Sequence, residues 1–515
     1  MTTYYVDPSQ SVQGDGSPAS PYTTLTGVTP ADGDIFLFKC GTTYRENLST
    51  DNLAANNLTF SSYGEGNKPI LTSEINPAWV QDATYPQLYV YTFGSNVGGL
   101  ALENGTPLNH TNWTTDLATT FATMSVGTFV YDSVNFKLYV WPKTSPANCT
   151  ASSFLYGMFS TSSYTNLNIS NLEFYCFSRH GIALLNRQYT IVENCNFTAI
   201  GGNSSGGGTP VGNGVEIGHG SHNSKVLRCN FKRIFDSPIT FQVYSNSNTV
   251  RNGEAAYNVI EDGGLYGIEI TIVGSVTNCI LSNIYVHNNK IKNVGYNFRA
   301  KSVTGRGIHV GGAQATSIIS GILVKDNVLE NNRWGLSDST GGNTVTSVAF
   351  VNNTVVTSQT PTNGRGIYTS GSCLYLGNVI VGYFYGIGSY GTATRTTKIY
   401  NCVIDKAEEA IQQDANTGTL EIKNCVIWSN SRLVRIAVSG LTTTFQYNYW
   451  RSGITNGGLT VDGTNTRVST FPLTTTYLVT TDSALKYTGT FLNQLGYHNP
   501  PSIGPYEYIP ERGTR

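Results

Sequence analysis

The chain has 515 residues, which is enough for several ordinary domains or for one long repeat structure. Charged residues make up only 12% of it and its formal net charge is −1, so no overall field would draw it to nucleic acid or to a membrane surface. No segment approaches the roughly 20 apolar residues of a membrane span, and the start MTTYYVDPSQ lacks the pattern of a signal peptide. We therefore expect no nucleic-acid partner and no membrane insertion, and a chain that is cytosolic, trimmed, or released by a route such as host lysis.

Short β runs open the chain. Between residues 1 and 75, stretches such as GDIFLFK and NLTFSSYG alternate with turns rich in Gly, Pro and Asn, which predicts an N-terminal cap followed by the first rungs of a larger structure. Residues 76–160 contain LYVYTF, TFVYDS and KLYVWP, whose alternating apolar residues predict a small inserted β domain.

A short repeat dominates the next part of the chain. Its core is Asn or Cys, then any residue, then Ile, Val, Leu or Phe, and it recurs about ten times between residues 165 and 427 at spacings of 23 to 38 residues. That period is too short for two helices per repeat and is typical of a β-solenoid. Leu172-Glu-Phe174 opens the series, and its clear copies are Cys195-Asn-Phe197, Cys229-Asn-Phe231, Asn258-Val-Ile260, Asn289-Lys-Ile291, Asn327-Val-Leu329, Asn353-Thr-Val355, Asn378-Val-Ile380, Cys402-Val-Ile404 and Cys425-Val-Ile427.

The solenoid is expected to span residues 161–450. An open solenoid end is an unpaired sheet edge, so residues 451–515 should supply the C-terminal rungs and a closing segment. The chain has nine cysteines, four of which occupy the Asn/Cys position of the repeat. We interpret these as buried reduced thiols, because no CxxC or His/Cys spacing supports a disulfide or a metal site. No metal and no cofactor is predicted.

A second strand follows each cassette and often begins with Gly-Ile. Side chains alternate between the two faces of a strand, so the second residue should enter the core and the third should point outward. Equivalent positions of a solenoid stack on one another, which makes the third residues one exposed column. That column is Ala183, Glu216, Thr240, Glu269, His309, Ser337, Tyr368 and Gly388.

These patterns resemble the right-handed parallel β-helix proteins of the pectate-lyase-like superfamily. The repeated NVI, NKI, NVL and NTV, the Gly-Ile strands, the opening YYVDPSQSVQGDGSPASPYTTL and the ending SIGPYEY carry the resemblance, which covers nearly the whole chain. It implies an all-β, right-handed parallel β-helix with an N-terminal cap and a small inserted β domain. It also implies a protein that acts on polysaccharide. Low charge and many Asn, Gly and Tyr residues are similar to phage tail proteins, which implies an extracellular or virion location and a homotrimer.

Two carboxylates in the outward column are the main catalytic candidates. Glu216 and Glu269 should lie two rungs apart, which is roughly 9 to 10 Å at the spacing of paired strands. Inverting glycosidases hold their acid and base carboxyls roughly 6.5–9.5 Å apart. His309, one rung beyond Glu269, could tune the nearer carboxyl or bind a sugar hydroxyl. The alternative is that these outward polar residues are simply solvated.

Other acidic residues compete with that pair. Asp262, with Glu261, precedes the Glu269 strand, and Asp236 occupies a similar turn one rung earlier. A pair drawn from Asp236, Asp262 and Glu269 is therefore the main competitor. Turn capping by hydrogen bonds to nearby backbone amides is the structural alternative for these aspartates.

A basic loop before His309 suggests a second mechanism. Arg299, Lys301 and Arg306 could bind the carboxylates of an acidic polysaccharide, and surface solvation explains them equally well. In a lyase, Arg306 or Lys301 would stabilise the charge on a uronate while His309 or Tyr266 took its proton. The complete set of predicted substrate-binding residues is Arg306, Lys301, Arg299, Tyr266, Trp334, Tyr368, Thr240 and His219.

Three functions therefore remain open at the level of the sequence. The first is a glycoside hydrolase that depolymerises a bacterial surface or extracellular polysaccharide through a carboxylate pair. The second is a polysaccharide lyase, and the third is a non-catalytic adhesin or tail protein that only binds glycan.

Overall fold

A computed structural model describes residues 1–468 except residues 50, 204–209, 300–304, 313–315, 340–343, 359–363, 390–395, 414–417, 437–440, 452 and 455–463. The chain forms two compact units, residues 1–271 with 292–305 and residues 272–291 with 306–515. In both, parallel strands stack on three faces, and the fold is the predicted right-handed parallel β-helix. Within the described ranges, no helix is long and apolar enough to cross a membrane.

In the first unit, each full rung contributes one strand to each of three faces. First-face strands are Thr3–Val6, Ile35–Lys39, Leu58–Tyr63, Thr165–Ser170, Gln188–Glu193, Lys225–Leu227 and Thr249–Ala256. Second-face strands are Thr43–Tyr44, Ile70–Thr72, Glu173–Phe177, Asn196–Ile200, Asn230–Ile234 and Val259–Gly263. Third-face strands are Tyr156–Ser160, His180–Leu184, Val215–Ile217, Ile239–Val243 and Tyr266–Ile272.

The second unit repeats the same plan. First-face strands are Ile280–His287, Ile318–Lys325, Thr344–Val351, Leu374–Leu376, Thr396–Tyr400, Gly418–Lys423 and Leu441–Gln446. Second-face strands are Lys290–Lys292, Val328–Glu330, Thr354–Val356 and Val379–Val381, and third-face strands are Arg306–Gly311, Trp334–Ser339, Arg365–Thr369 and Tyr385–Ser389. The later strands are Val403–Gln413 and Val426–Ile436, which each pair along both of these faces, followed by Tyr449–Arg451 and Thr466–Val468.

Two small sheets, mostly antiparallel, interrupt the first unit and form the inserted β domain. One contains Glu74–Ile75, Ala101–Glu103, Thr106–Pro107 and Cys149–Ser152, and the other contains Val80–Gln81, Tyr89–Thr92, Asn109–His110, Thr128–Asp132 and Lys137–Trp141. A short α-helix spans Leu117–Phe121, and 3-10 turns span Asp51–Leu53 and Pro146–Asn148. At the N-terminus, hydrogen bonds from Tyr5 N–H to Gly16 and from Tyr22 N–H to Tyr5 cover the first strand, as a cap should.

The bend between the first and second strands explains the repeated cassette. The residue before each Asn or Cys adopts a left-handed backbone, for example Asn194 at φ 50° and Asn352 at φ 52°. Asparagine tolerates this conformation better than most residues because its short polar side chain can bond locally. The chain therefore turns a corner in two residues, and the Asn or Cys that follows enters the core.

Buried asparagines form a hydrogen-bonded ladder through the second unit. Asn289, Asn327 and Asn353 each donate the side-chain N–H to the side-chain oxygen of the next asparagine, ending at Asn378, at 2.9 Å per step. The four cysteines in the same position are buried thiols, as predicted, and none of the nine cysteines, all of which are described, forms a disulfide bond. The ladder satisfies backbone and side-chain groups that have no access to water.

Removing one step of the ladder should destabilise the fold. In Asn353→Ala, the backbone N–H of Asn327 loses its side-chain acceptor, and the side-chain N–H of Asn327 and the carbonyl of Val324 each lose one partner in the core. We expect a loss of about 2 to 4 kcal/mol in the free energy of unfolding, measured by urea denaturation. The exposed Asn168→Ala is the matched control and should change it by less than about 0.5 kcal/mol. Equal effects of the two variants would contradict this role.

Candidate active site

Third-face strands bring Glu216 and Glu269 into one column. Register pairs Ala183 with Glu216 and Glu216 with Thr240, and the strand of Thr240 pairs with the strand of Glu269. The two glutamates therefore lie two rungs apart, as predicted. The Gly-Ile opening of these strands has a steric reason, because a Cβ on Gly214 would lie 2.5 Å from the carbonyl oxygen of Pro238 on the next rung.

The predicted exposure of this column is wrong for six of its eight members, which are buried: Ala183, Glu216, Thr240, His309, Ser337 and Gly388. Glu216 retains only 3% of its exposure. Residues from the turns on either side of the short strands cover it, so that its carboxylate meets polar side chains of the protein in place of bulk water.

Two hydrogen bonds and a contact with His180 hold Glu216. Its Oε2 lies 3.1 Å from Asn213 Nδ2 and 3.3 Å from His180 Nε2, and its Oε1 accepts the hydroxyl of Tyr244 at 2.8 Å. These contacts fix the orientation of the Glu216 carboxyl group.

His180 is held in one tautomer. Its Nδ1 accepts the backbone N–H of Asn213 at 2.9 Å, so the ring proton resides on Nε2, which faces Glu216. Burial lowers the pKa of His180 to about 4, although Glu216 opposes that shift. The imidazole is thus neutral at neutral pH and orients Glu216 without neutralising its charge.

Glu269 has the opposite environment. Burial and, after it, the charges of Asp236 and Glu216 raise its pKa to about 8, although the hydroxyls of Ser237 and Thr240 oppose the shift. Ser237 and Thr240 donate to Oε2 at 3.0 Å and 3.5 Å, which leaves Oε1 to carry the proton. Glu269 is partly exposed, so a ligand can reach it. At neutral pH this carboxyl is protonated.

Asp236 forms an ion pair with Arg299. Asp236 Oδ1 lies 2.6 Å from Arg299 Nη1, and both side chains are 16% exposed. Burial raises the pKa of Asp236, the guanidinium opposes this, and Glu216 raises it further. Asp236 is bound to a cation and is less suited than Glu269 to donate a proton.

The remaining candidate residues of the first unit differ in how near they lie to Glu216 and Glu269. The ring of His219 meets the ring of Tyr244 edge-on at 4.6 Å, one contact from Glu216. The side chain of Asp262 bonds to Asn293 on the second face, and no contact in the described structure joins it to Glu269. The backbone N–H of Tyr266 lies 3.5 Å from the carbonyl oxygen of Asp236.

In the second unit, Arg306 and His309 are joined. Arg306 Nη1 lies 3.0 Å from His309 Nδ1, and the hydroxyls of Ser337 and Ser339 lie 2.9 Å and 3.1 Å from the two ring nitrogens. Burial lowers the pKa of His309 well below its ordinary value, and Arg306 lowers it further.

The two predicted aromatic residues of that unit stack on each other. Trp334 and Tyr368 stack at 4.8 Å, and Arg306 lies over both rings. Because Trp334 is only 8% exposed, it packs against protein and cannot offer a sugar a free ring face. Lys301 lies outside the described residues.

Sequence reasoning missed four residues of the site, His180, Asn213, Ser237 and Tyr244. The first three occupy one column of their own, two positions before the inward apolar residue of each third-face strand. Reading that second column would have found them. Tyr244 directly follows a strand, and nothing in its spacing indicates that its hydroxyl reaches Glu216.

The pKa of Glu269 should make stability depend on pH. The folded state holds a proton that the unfolded state releases near the ordinary value of 4.5, so stability is full below 4.5 and falls as pH rises toward about 8. We expect the free energy of unfolding to fall across this range in the wild type and to fall much less in Glu269→Gln. Glu261→Gln is a control of opposite sign, because Lys292 holds the pKa of Glu261 below its usual range. Parallel pH profiles of the wild type and Glu269→Gln would contradict the assignment.

Neither a known protein family nor a curated protein sequence matches the chain. Solved structures do. A complex of XylC with xylose is similar at a TM-score of 0.50 and 10% identity, covering 90% of this chain and 86% of that one. A glycoside hydrolase matches at 0.47 and 10% identity over 87% and 96% of the two chains. A tailspike protein of E. coli bacteriophage HK620 matches at 0.45 and 11% identity over 90% and 69%.

The chain has the parallel β-helix fold. This similarity confirms the predicted fold resemblance. At identities this low it speaks for the fold alone, so the chemistry has to be argued from the residues of the site.

Proposed function

We propose that the protein is a glycoside hydrolase that depolymerises a polysaccharide, with Glu269 as general acid and Glu216 as general base. The observation that carries the proposal is the contrast between two neighbouring carboxyls. One is protonated at neutral pH and partly accessible, and the other is buried, accepts two hydrogen bonds and contacts the neutral ring of His180. Glycoside hydrolysis needs one carboxyl in each state.

The spacing of the pair supports inversion of configuration. Two rungs separate the backbones of Glu216 and Glu269 by about 9 to 10 Å. Inverting enzymes separate their carboxyls by roughly 6.5–9.5 Å, which leaves room for a water molecule, whereas retaining enzymes hold them at about 5 Å. Hydrolysis should therefore release a sugar of inverted anomeric configuration.

Each residue then has one task. Glu269 donates the proton on Oε1 to the glycosidic oxygen as the bond to the anomeric carbon breaks. Glu216 removes a proton from the attacking water. Its Oε1 faces Tyr244, and rotation of that partly exposed tyrosine opens the oxygen to water, while Asn213 and His180 keep Oε2 in place.

The proposed substrate class rests on the two carboxyl groups of the site, which are the chemistry that cleaves a glycosidic bond. A bacterial surface or extracellular polysaccharide is the proposed substrate, and the protein would meet it outside the cell or on a virion. Assembly as a homotrimer stays a prediction.

The test is incubation with a panel of capsular, O-antigen and exopolysaccharides. Chain length would be followed by size exclusion, products by mass, and anomeric configuration by NMR. Shortened chains, each carrying one added water and an inverted reducing end, are the expected result. Binding without shortening of any glycan would leave the non-catalytic binder as the function and overturn the hydrolase.

A lyase is the second candidate, favoured by the contact between Arg306 and the neutral His309. A neutral imidazole can take a proton, and a guanidinium can stabilise a uronate carboxylate. Tyr266, the other predicted base of this lyase, belongs to the other compact unit. Products with a new ultraviolet absorbance and no added water would establish elimination in place of hydrolysis.

A further inference from the structure

Arginines and aromatic rings share one column on the third face of the second unit. The column is set by strand register, and its successive members are Arg306, Trp334, Arg365, Tyr385, Glu409 and Arg432. Paired positions on neighbouring strands lie about 4.8 Å apart, so the column places its groups at nearly the repeat of a chain of sugar rings.

The guanidinium groups lie on the rings. Arg306 is 5.0 Å and Arg365 is 4.7 Å from the ring of Trp334, and Arg365 is also 5.4 Å from the ring of Tyr385. The two rings are 8% and 4% exposed, whereas both arginines are partly exposed. The rings thus support the arginines from below, and the accessible part of the column is cationic.

Charge on this surface is predominantly positive. Arg435, from the neighbouring column, is exposed and donates to the hydroxyl of Tyr385 at 3.2 Å. Glu409 lies 3.3 Å from Arg432 and offsets that charge. Together with Arg306, Arg365 and Arg435, this pair gives the surface four arginines and one glutamate. A guanidinium that stacks through its face keeps its N–H donors in its plane, where they match the two oxygens of a carboxylate.

We propose that this Arg–aromatic column binds the carboxylate-bearing sugars of an anionic polysaccharide. Buried rings argue against a neutral glycan, which would need open aromatic faces, and the excess of arginines complements a repeated negative charge. The inference deepens the proposed function by naming its substrate class. It rests on that function only for the link between binding and cleavage.

The experiment measures binding by affinity electrophoresis in polygalacturonate, alginate and hyaluronan, each beside its carboxyl-reduced, neutral form. At least one acidic glycan should retain the protein about tenfold more strongly than its neutral form, and added salt should weaken retention. Arg365→Gln and the exposed Arg435→Gln should each weaken it by about tenfold. Arg228→Gln is the matched control, because Arg228 also lies over a tyrosine, Tyr257, on another part of the solenoid.

The outcomes separate this inference from the hydrolase proposal. Three results would each overturn the proposal for the Arg–aromatic column. They are equal retention by the acidic and neutral forms, no retention by any acidic glycan, and an equal loss of retention in Arg228→Gln. Cleavage of a neutral glycan alone would leave the hydrolase standing and refute the column. Retention that depends on Arg365 and Arg435, without cleavage of any glycan, would uphold the column and refute the hydrolase. Arg435→Gln, at an exposed site, keeps the test valid if Arg365→Gln does not fold.

Discussion

Replacing Glu269 by glutamine should abolish turnover of the polysaccharide while the fold and glycan binding persist. The amide oxygen can still accept from Ser237, so the local structure survives, but no proton remains for the leaving oxygen. Loss of a general acid lowers kcat by about 10²- to 10⁴-fold. Steady-state kinetics on the natural substrate would measure this loss.

The pH profile and the leaving group make this prediction specific. Wild-type activity should fall as pH rises through about 8, where Glu269 loses its proton. The residual activity of Glu269→Gln should not fall in this pH range. An activated aryl glycoside, whose leaving group needs no protonation, should be cleaved nearly as well by the variant as by the wild type. Glu261→Gln, on the second face of the same rung, should behave like the wild type. Full activity of Glu269→Gln on the polysaccharide would exclude Glu269 as the acid.

Replacing Glu216 by glutamine should also abolish turnover, with a different signature. The amide oxygen can accept from Asn213 and His180, and the amide nitrogen can donate to Tyr244, whose hydroxyl is able to accept. The fold should therefore be retained. Because water is no longer deprotonated, we expect kcat to fall by about 10²- to 10⁴-fold for natural and activated substrates alike.

An external nucleophile separates a missing base from a damaged site. Azide needs no deprotonation, so Glu216→Ala with azide should form a glycosyl azide of inverted configuration, detectable by NMR. Glu254→Gln is the matched control, because Glu254 pairs with Lys225 on the first face. An azide product of retained configuration would assign Glu216 a different role.

The repeat made much of this architecture predictable. Alternation along the Gly-Ile strands placed Glu216 and Glu269 in one column two rungs apart, because register in a solenoid follows directly from equivalent positions in the repeat. The burial of the cysteines at the Asn/Cys position was likewise predicted from the repeat. Both inferences depend only on local periodicity.

The alternation of residues along the strands could not predict the burial of Glu216 or the protonation of Glu269. Glu216 is buried because Asn213, His180 and Tyr244 fold over it from turns and from an earlier rung, and turn geometry is not encoded in strand alternation. The raised pKa of Glu269 depends on burial and on two neighbouring carboxylates, which only the three-dimensional arrangement brings together. The pattern also could not show which predicted substrate-binding residues are accessible. Trp334, for example, is packed between arginines.

The central claim is that the carboxyl of Glu269 is protonated at neutral pH. Infrared difference spectroscopy between the wild type and Glu269→Gln tests it without any substrate. The account predicts the stretching band of a protonated carboxyl at pH 7 that is absent from the variant and disappears as pH rises through about 8. A difference spectrum at pH 7 that contains only the bands of an ionised carboxylate would contradict it.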